Sequence, residues 1–177
     1  MPTTGFIGLG HMGSAIALRL AQAGFPLAVH DLSAAACAEM ARHGALVCAT
    51  AREVADRAEI VFLCLPSVQA AQAVATELAS GSAVRVVVET STVGPGCVRD
   101  MAAALAARGI AVVDAPVSGG PKGAAAGTLS VMHAGAPDDV ALVLPQLAAI
   151  AGKRFDVGAE PGLAQVCKLV NNAISAA

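Results

Sequence analysis

Short apolar runs alternate along the chain with longer alanine-rich amphipathic stretches. The runs at residues 60–65 and 84–89 are nearly continuous in apolar residues, which indicates strands covered on both faces. In all, the pattern predicts strands at residues 5–7, 27–30, 46–48, 60–65, 84–89, 111–114, 129–134 and 154–157. Repeated strand–helix–strand units predict an α/β fold with a doubly wound, mostly parallel sheet.

Start and stop signals mark the helices between these strands. A helix over residues 12–23 ends at Gly24, and Ser67 is suited to cap a helix over residues 68–79. Thr50 and Glu53 have capping-box spacing and predict a short helix that begins after Thr50. These helices fill the connections that a parallel sheet requires.

The last segment, residues 162–177, also predicts a helix. It reaches Ala177 without a C-cap glycine or a polar tail. We therefore expect residues 1–161 to form one domain and residues 162–177 to begin a longer helix whose continuation belongs to a larger protein.

Composition narrows the possible functions. The chain is 56% hydrophobic and 14% charged, so it can bury a core, and its aromatic content of 2% gives no platform for stacking nucleic-acid bases. Glycine, proline and charged residues interrupt every long apolar run, so no membrane span is expected. The four histidines and five cysteines lack metal-ligand spacing. We predict no metal site, and the isolated cysteines favour a reducing, cytoplasmic compartment.

A glycine-rich segment, Gly8-Leu9-Gly10-His11-Met12-Gly13, follows the first predicted strand and opens the first helix. In that context Gly8 permits a tight turn, Gly10 lets a pyrophosphate approach the backbone, and Gly13 allows the helix to pack closely on the strand. Free N–H groups and the dipole at the helix start attract phosphate. A glycine-rich turn without a ligand is the alternative for this segment alone.

Asp31 strengthens the prediction of a dinucleotide site. It lies 18 residues after Gly13, at the end of the second predicted strand, close to the roughly 20-residue spacing of a ribose-binding acid. Its carboxylate would accept hydrogen bonds from ribose hydroxyls and repel a 2′-phosphate, so NAD is favoured over NADP. Alternatively, Asp31 is the N-cap of a helix over residues 33–43, and the two roles are compatible. A dinucleotide site at the edge of a doubly wound sheet predicts a Rossmann-like fold.

Two later segments are candidates for the chemistry. Ser118 and the backbone N–H groups of Gly119 and Gly120 could hold a carboxylate, although an ordinary loop is the simpler interpretation of these residues alone. Lys168 and Asn172 are four residues apart on the last predicted helix and share one face. Apolar neighbours would desolvate Lys168 and lower its pKa, as a general base requires. A solvated surface lysine is the simpler interpretation of Lys168 in isolation.

Taken together, the motifs resemble the β-hydroxyacid dehydrogenase family, which includes 3-hydroxyisobutyrate dehydrogenase and tartronate semialdehyde reductase. The matching segments occur in family order over essentially the whole chain, at residues 5–13, 65–66, 91–95, 114–120, 123–129 and 168–172. The resemblance implies a cofactor lined by Met12, Leu65, Pro66 and Thr92, with His11 in the glycine turn. It implies a substrate carboxylate held by Ser118, Gly119 and Gly120, with Asn172 on the substrate's oxygen substituents. Lys168 would be the general acid/base.

The departures from the family pattern are informative. Asn171 stands where 6-phosphogluconate dehydrogenases have histidine, and Lys168 is a residue that imine reductases usually lack, so both relatives are disfavoured. Ala164 replaces a frequent glycine. Family members also continue into an all-helical C-terminal domain, which is absent here.

The resemblance implies NAD-dependent oxidation of a small β-hydroxyacid, such as 3-hydroxyisobutyrate, to its semialdehyde or keto acid. The full-length form would be a homo-oligomer. Two alternatives remain: an isolated NAD-binding module without turnover, and a reductase of a small semialdehyde such as tartronate or succinic semialdehyde.

Overall fold

The computed structural model describes residues 3–176, and six parallel strands form its main sheet. Their order is β3-β2-β1-β4-β5-β6, so the direction of winding reverses between β1 and β4. The strands are β1 (Thr4–Ile7), β2 (Leu27–His30), β3 (Leu46–Val47), β4 (Ile60–Leu63), β5 (Val86–Glu89) and β6 (Ala111–Asp114). This order confirms the Rossmann-like, doubly wound prediction.

Five helices connect these strands and cover the sheet on both faces. They are α1 (His11–Gln22), α2 (Ala34–Arg42), α3 (Ala51–Ala55), α4 (Val68–Leu78) and α5 (Pro95–Ala106). Successive strand residues point to opposite faces. Thus Phe6 joins the core under α1 and α2, whereas Ile7 joins the core under α3, α4 and α5. Burial on both faces explains why the central strands are continuously apolar.

The next part of the chain forms a second sheet of three strands. It contains β7 (Val117–Ser118), β8 (Leu129–His133) and β9 (Ala151–Asp156), with β7 antiparallel and β9 parallel to β8. The helices of this part are α6 (Gly120–Ala126), α7 (Pro137–Ile150) and α8 (Leu163–Ala176). Ala177, the last residue of the helix predicted over residues 162–177, lies outside the described residues.

The strands predicted at residues 129–134 and 154–157 are present but do not join the main sheet. β7 leads through Gly119 and Gly120, both of which have positive φ, into α6, and β8 then pairs antiparallel with β7. A single bridge between Asp114 and Ala134 links the two sheets. The strand predicted at residues 60–65 ends at Leu63, and Cys64 and Leu65 leave the sheet at its carboxyl edge.

Candidate functional site

The glycine turn lies at the reversal of strand order, between the carboxyl ends of β1 and β4. A Cβ at Gly8 would overlap the carbonyl of Cys64, and one at Gly13 would overlap the carbonyl of Gly8. At Gly10, by contrast, a Cβ would meet nothing within 4 Å. Gly8 and Gly13 are therefore glycines because of the protein's own packing, whereas Gly10 opens onto free space that a ligand can enter.

The Asp31 carboxylate joins the glycine turn to the end of β2. Its Oδ2 accepts the N–H of Leu9 at 2.6 Å and its Oδ1 accepts the N–H of Ser33 at 2.7 Å. The N-cap of α2 is Ser33, whose hydroxyl accepts the N–H of Ala36. The N-cap alternative for Asp31 was therefore wrong, because Ser33 lies next to the helix and occupies that position.

A cleft of about 550 Å³ runs along this edge of the sheet. Eight residues predicted to bind the cofactor line it, namely Gly8, Gly10, His11, Met12, Gly13, Asp31, Leu65 and Pro66. The opposite wall was not predicted from the sequence. It is formed by α3 and α4 through Ala51, Ala70, Ala73, Val74 and Glu77. Small alanines give no sequence signal for a cleft, since they are equally common on any helix.

A second cavity of about 460 Å³ meets the first along Met12, Cys64 and Leu65. It contains the remaining predicted site residues, which are Thr92, Ser118, Gly119, Gly120, Lys168 and Asn172. These residues come from the ends of β5 and β7, from the start of α6 and from α8. The fold thus brings every sequence-predicted site residue to one continuous depression.

Lys168 is buried in the second cavity, with only 8% of its surface exposed. Burial lowers the pKa of its ammonium group because the charged form loses hydration. Within residues 3–176 its amine has no carboxylate partner within ion-pair distance. The expected desolvation is therefore present, and it makes the amine easier to deprotonate than that of an exposed lysine.

The buried carboxyl group of Glu89, at the end of β5, was not identified from the sequence. Ser91 Oγ accepts the N–H of Leu65 at 2.7 Å, and the N–H of Ser91 donates to Glu89 Oε1 at 2.7 Å. Glu89 is fully buried, which raises its pKa to about 7; hydrogen bonds from Ser91 oppose the shift and the Asp114 carboxylate adds to it. These contacts hold the loops after β4 and β5 together at the junction of the two cavities.

Comparison with known proteins places the chain in a family. Residues 3–158 match the model described as the NAD binding domain of 6-phosphogluconate dehydrogenase. The chain belongs to this family of NAD-binding domains. The predicted cofactor class is confirmed at the level of the family.

Named relatives are similar over nearly the whole chain. An NAD-dependent L-serine dehydrogenase from Pseudomonas aeruginosa is 37% identical over 99% of the chain, and a 2-(hydroxymethyl)glutarate dehydrogenase from Eubacterium barkeri is 37% identical over 95%. The solved 3-hydroxyisobutyrate dehydrogenase of Mycobacterium tuberculosis with L-serine has a TM-score of 0.93 at 34% identity over 99% of the chain. The resemblance to hydroxyacid dehydrogenases is confirmed.

The chain spans only part of these relatives: 60% and 57% of the two dehydrogenases and 61% of the solved structure.

Among the described residues, no helix combines the length and the apolar character needed to cross a membrane.

Proposed function

We propose that this chain contributes the NAD-binding domain, residues 1–161, and the catalytic lysine of a dehydrogenase that oxidises a small β-hydroxyacid. The observation that carries the proposal is the position of Lys168. Lys168 is buried and lines a cavity together with Ser118, and that cavity borders the dinucleotide cleft along shared lining residues. Residues 162–176 would then begin the helix that leads into the rest of the protein.

The cleft fits a dinucleotide. Gly10 opens onto free space at the start of α1, where backbone N–H groups can bind a pyrophosphate. The Asp31 carboxylate lies at the edge of the cleft, where ribose hydroxyls can donate to it, and it would repel a 2′-phosphate. NAD is therefore favoured over NADP, and when bound it supplies the hydride-accepting chemistry.

The second cavity supplies the groups that the substrate requires. The Ser118 hydroxyl and the N–H groups of Gly119 and Gly120 would bind the substrate carboxylate, and the Asn172 amide would bind a neighbouring oxygen. The amine of Lys168, once deprotonated, would then take the hydroxyl proton. As the O–H and C–H bonds break and a carbonyl forms, Lys168 Nζ would take the proton, and bound NAD would supply the acceptor for the hydride.

The names of the relatives support the substrate class. L-serine, 2-(hydroxymethyl)glutarate and 3-hydroxyisobutyrate each carry a carboxylate and a hydroxyl on the β-carbon. They differ at the α-carbon. We therefore propose that this protein acts on a β-hydroxyacid and that a reductase of a small semialdehyde, the same reaction in reverse, is the alternative direction.

Two measurements test the proposal. The 177-residue chain is expected to bind NADH in a fluorescence titration but to turn over 3-hydroxyisobutyrate only slowly, since it covers about 60% of its relatives. Turnover by this chain at the rate of a complete enzyme would contradict the second expectation. An absence of NADH binding would contradict the first.

The role of Lys168 is tested in a full-length protein. Lys168→Ala should lower the rate by about 10²–10⁴, the contribution of a general acid/base, while Lys122→Ala, at an exposed lysine on α6, should not. A loss smaller than about tenfold for Lys168→Ala would remove the lysine from the mechanism.

A further inference from the structure

The helix that carries Lys168 buries few apolar side chains. Within α8 (Leu163–Ala176), only Ala164, Gln165 and Lys168 are buried, and only Ala164 of these is apolar. Its large apolar residues are 42–72% exposed: Leu163, Val166, Leu169, Val170 and Ile174. Cys167 is partly buried and packs with Ala164 against Met132 and Ala134. This small apolar contact contributes little hydrophobic stabilisation, so the position of the helix depends strongly on its polar contacts.

The side-chain amide of Gln165 supplies four of these contacts. Its Oε1 accepts the N–H groups of Val93 and Gly94 at 3.1 and 3.0 Å, and its Nε2 donates to Ser91 O at 3.1 Å and to Asp114 Oδ1 at 2.8 Å. Gln165 is 0% exposed, and the four bonds use its complete donor and acceptor capacity. Since two donors face Oε1 and two acceptors face Nε2, only one orientation of the amide satisfies all of its partners.

Asp114 fixes the start of the same helix. Its Oδ2 accepts the N–H of Gly162 and the backbone N–H of Gln165, both at 3.0 Å. These N–H groups lie at the amino end of α8, where they have no partner within the helix. Asp114 is the last residue of β6, and Ser91, Val93 and Gly94 follow β5. Two strand ends thus hold the first turn of α8.

Lys168 follows Gln165 by three residues and therefore lies on the same face of α8, one turn further along. We propose that Gln165 is a positioning residue, which holds α8 against the ends of β5 and β6 and thereby keeps the Lys168 amine inside the cavity. The inference rests on the proposed function, in which Lys168 is the general acid/base. Gln165 itself lines neither the cavity nor the cleft.

The test measures how readily the Lys168 amine is acetylated as a function of pH. Competitive acetylation of the chain over a series of pH values, quantified by mass spectrometry, gives the labelling profile of each of its three lysines. Lys122 and Lys153 are exposed and serve as references within the same sample. Gln165→Met keeps the length of the side chain and removes all four hydrogen bonds. Gln72→Met, at an exposed glutamine on α4, is the matched control.

In Gln165→Met, α8 should move away from the strand ends and expose Lys168. We expect the midpoint of the Lys168 profile to shift upward toward the ordinary value for a lysine, because the amine regains hydration, and its labelling to approach that of the references. NADH binding should be retained. Gln165→Asn, which keeps an uncharged amide but is one methylene shorter and so cannot reach all four partners, should shift the midpoint less.

An unchanged Lys168 profile in folded Gln165→Met, with only a lower unfolding temperature, would overturn the proposal, as would an equal shift in Gln72→Met. If Gln165→Met does not fold, the uncharged Gln165→Asn decides: an upward shift supports the proposal and no shift overturns it. A failure of the proposed function is separate, since it would show as an active Lys168→Ala enzyme whatever the labelling profiles are.

Discussion

The role and the pKa of a single residue in this site depend on what the residue contacts as much as on its type. Asp31 accepts backbone N–H groups from two loops, so it stabilises the glycine turn before any cofactor binds. Lys168 is buried without a counter-charge within ion-pair distance among the described residues, which lowers its pKa. Glu89 shows the opposite effect, because burial raises the pKa of a carboxyl group.

Replacing Asp31 tests the choice of cofactor. Asp31→Asn keeps the shape of the side chain but loses its charge, so we expect NAD affinity to fall about 10- to 100-fold, the value of a charged hydrogen bond. The preference for NAD over NADP should narrow because the repulsion of the 2′-phosphate is lost. Isothermal titration calorimetry with NAD and NADP measures both affinities and their ratio. Asp138→Asn, at an exposed acid on α7, is the control, and equal losses in both variants would contradict the role of Asp31.

Glu89 makes the stability of the chain depend on pH. Its pKa rises from the ordinary 4.5 to about 7 on folding, so its protonated form stabilises the fold at low pH and that stabilisation is lost as pH rises through 7. Glu89→Gln mimics the protonated form. Between pH 5 and pH 8 the wild type should lose about 2 kcal/mol relative to this variant.

Urea unfolding at both pH values measures the difference. Glu160→Gln, at an exposed carboxyl group, should leave the pH dependence unchanged. Parallel pH dependence in the wild type and Glu89→Gln would show that Glu89 does not titrate in this range.

At the scale of elements, the glycines in the turn between β1 and α1 have two different roles, one in packing and one in leaving space for a ligand. A methyl group at Gly13 would overlap the carbonyl of Gly8, whereas one at Gly10 would meet only open space. The two glycines belong to one motif, yet only Gly13 is required by the fold itself.

Paired alanine substitutions test this distinction. Gly13→Ala should lower the free energy of unfolding by about 3 kcal/mol or more through overpacking. Gly10→Ala, at an N-cap with φ of −63°, should cost no more than about 1 kcal/mol of stability but should weaken NADH binding, since the methyl group occupies the approach of the pyrophosphate. Thermal unfolding and NADH titration of both variants give the result. Undiminished binding by Gly10→Ala would contradict the placement of the phosphates.

At the scale of the whole molecule, α8 presents an apolar face with no covering element among residues 3–176. Ile174 and Val170 are 72% and 55% exposed. Contiguous exposed apolar side chains on globular proteins mark surfaces that contact another protein or domain. We propose from this face, in line with what the family resemblance implies, that the full-length form is a homo-oligomer with α8 packed against another part of the assembly.

Sedimentation velocity over a range of concentrations tests the surface. We expect the chain to self-associate and Ile174→Ser to weaken that association, because the substitution removes apolar area from the contact. Leu32→Ser, at a 98% exposed leucine on the rim of the cofactor cleft, should not. A wild type that stays monomeric at every concentration would contradict this use of α8.

The sequence by itself determined the Rossmann-like sheet, the glycine turn and the position of Asp31, because apolar periodicity and turn chemistry are local properties. It also marked Ser118 and Lys168, although only the family resemblance raised them above a loop serine and a surface lysine. The tertiary structure alone decided that β8 and β9 form a separate sheet, since strand pairing joins segments far apart along the chain and apolar periodicity does not encode the partner of a strand.

Tertiary structure also decided what surrounds the lysine. The four bonds of Gln165 join segments 51 to 74 residues apart along the chain, and no local pattern encodes such contacts. The burial of Lys168 depends on the same packing. Periodicity reports which face of a helix is apolar, whereas the position of one amine in a cavity is set by the strand ends that the helix meets.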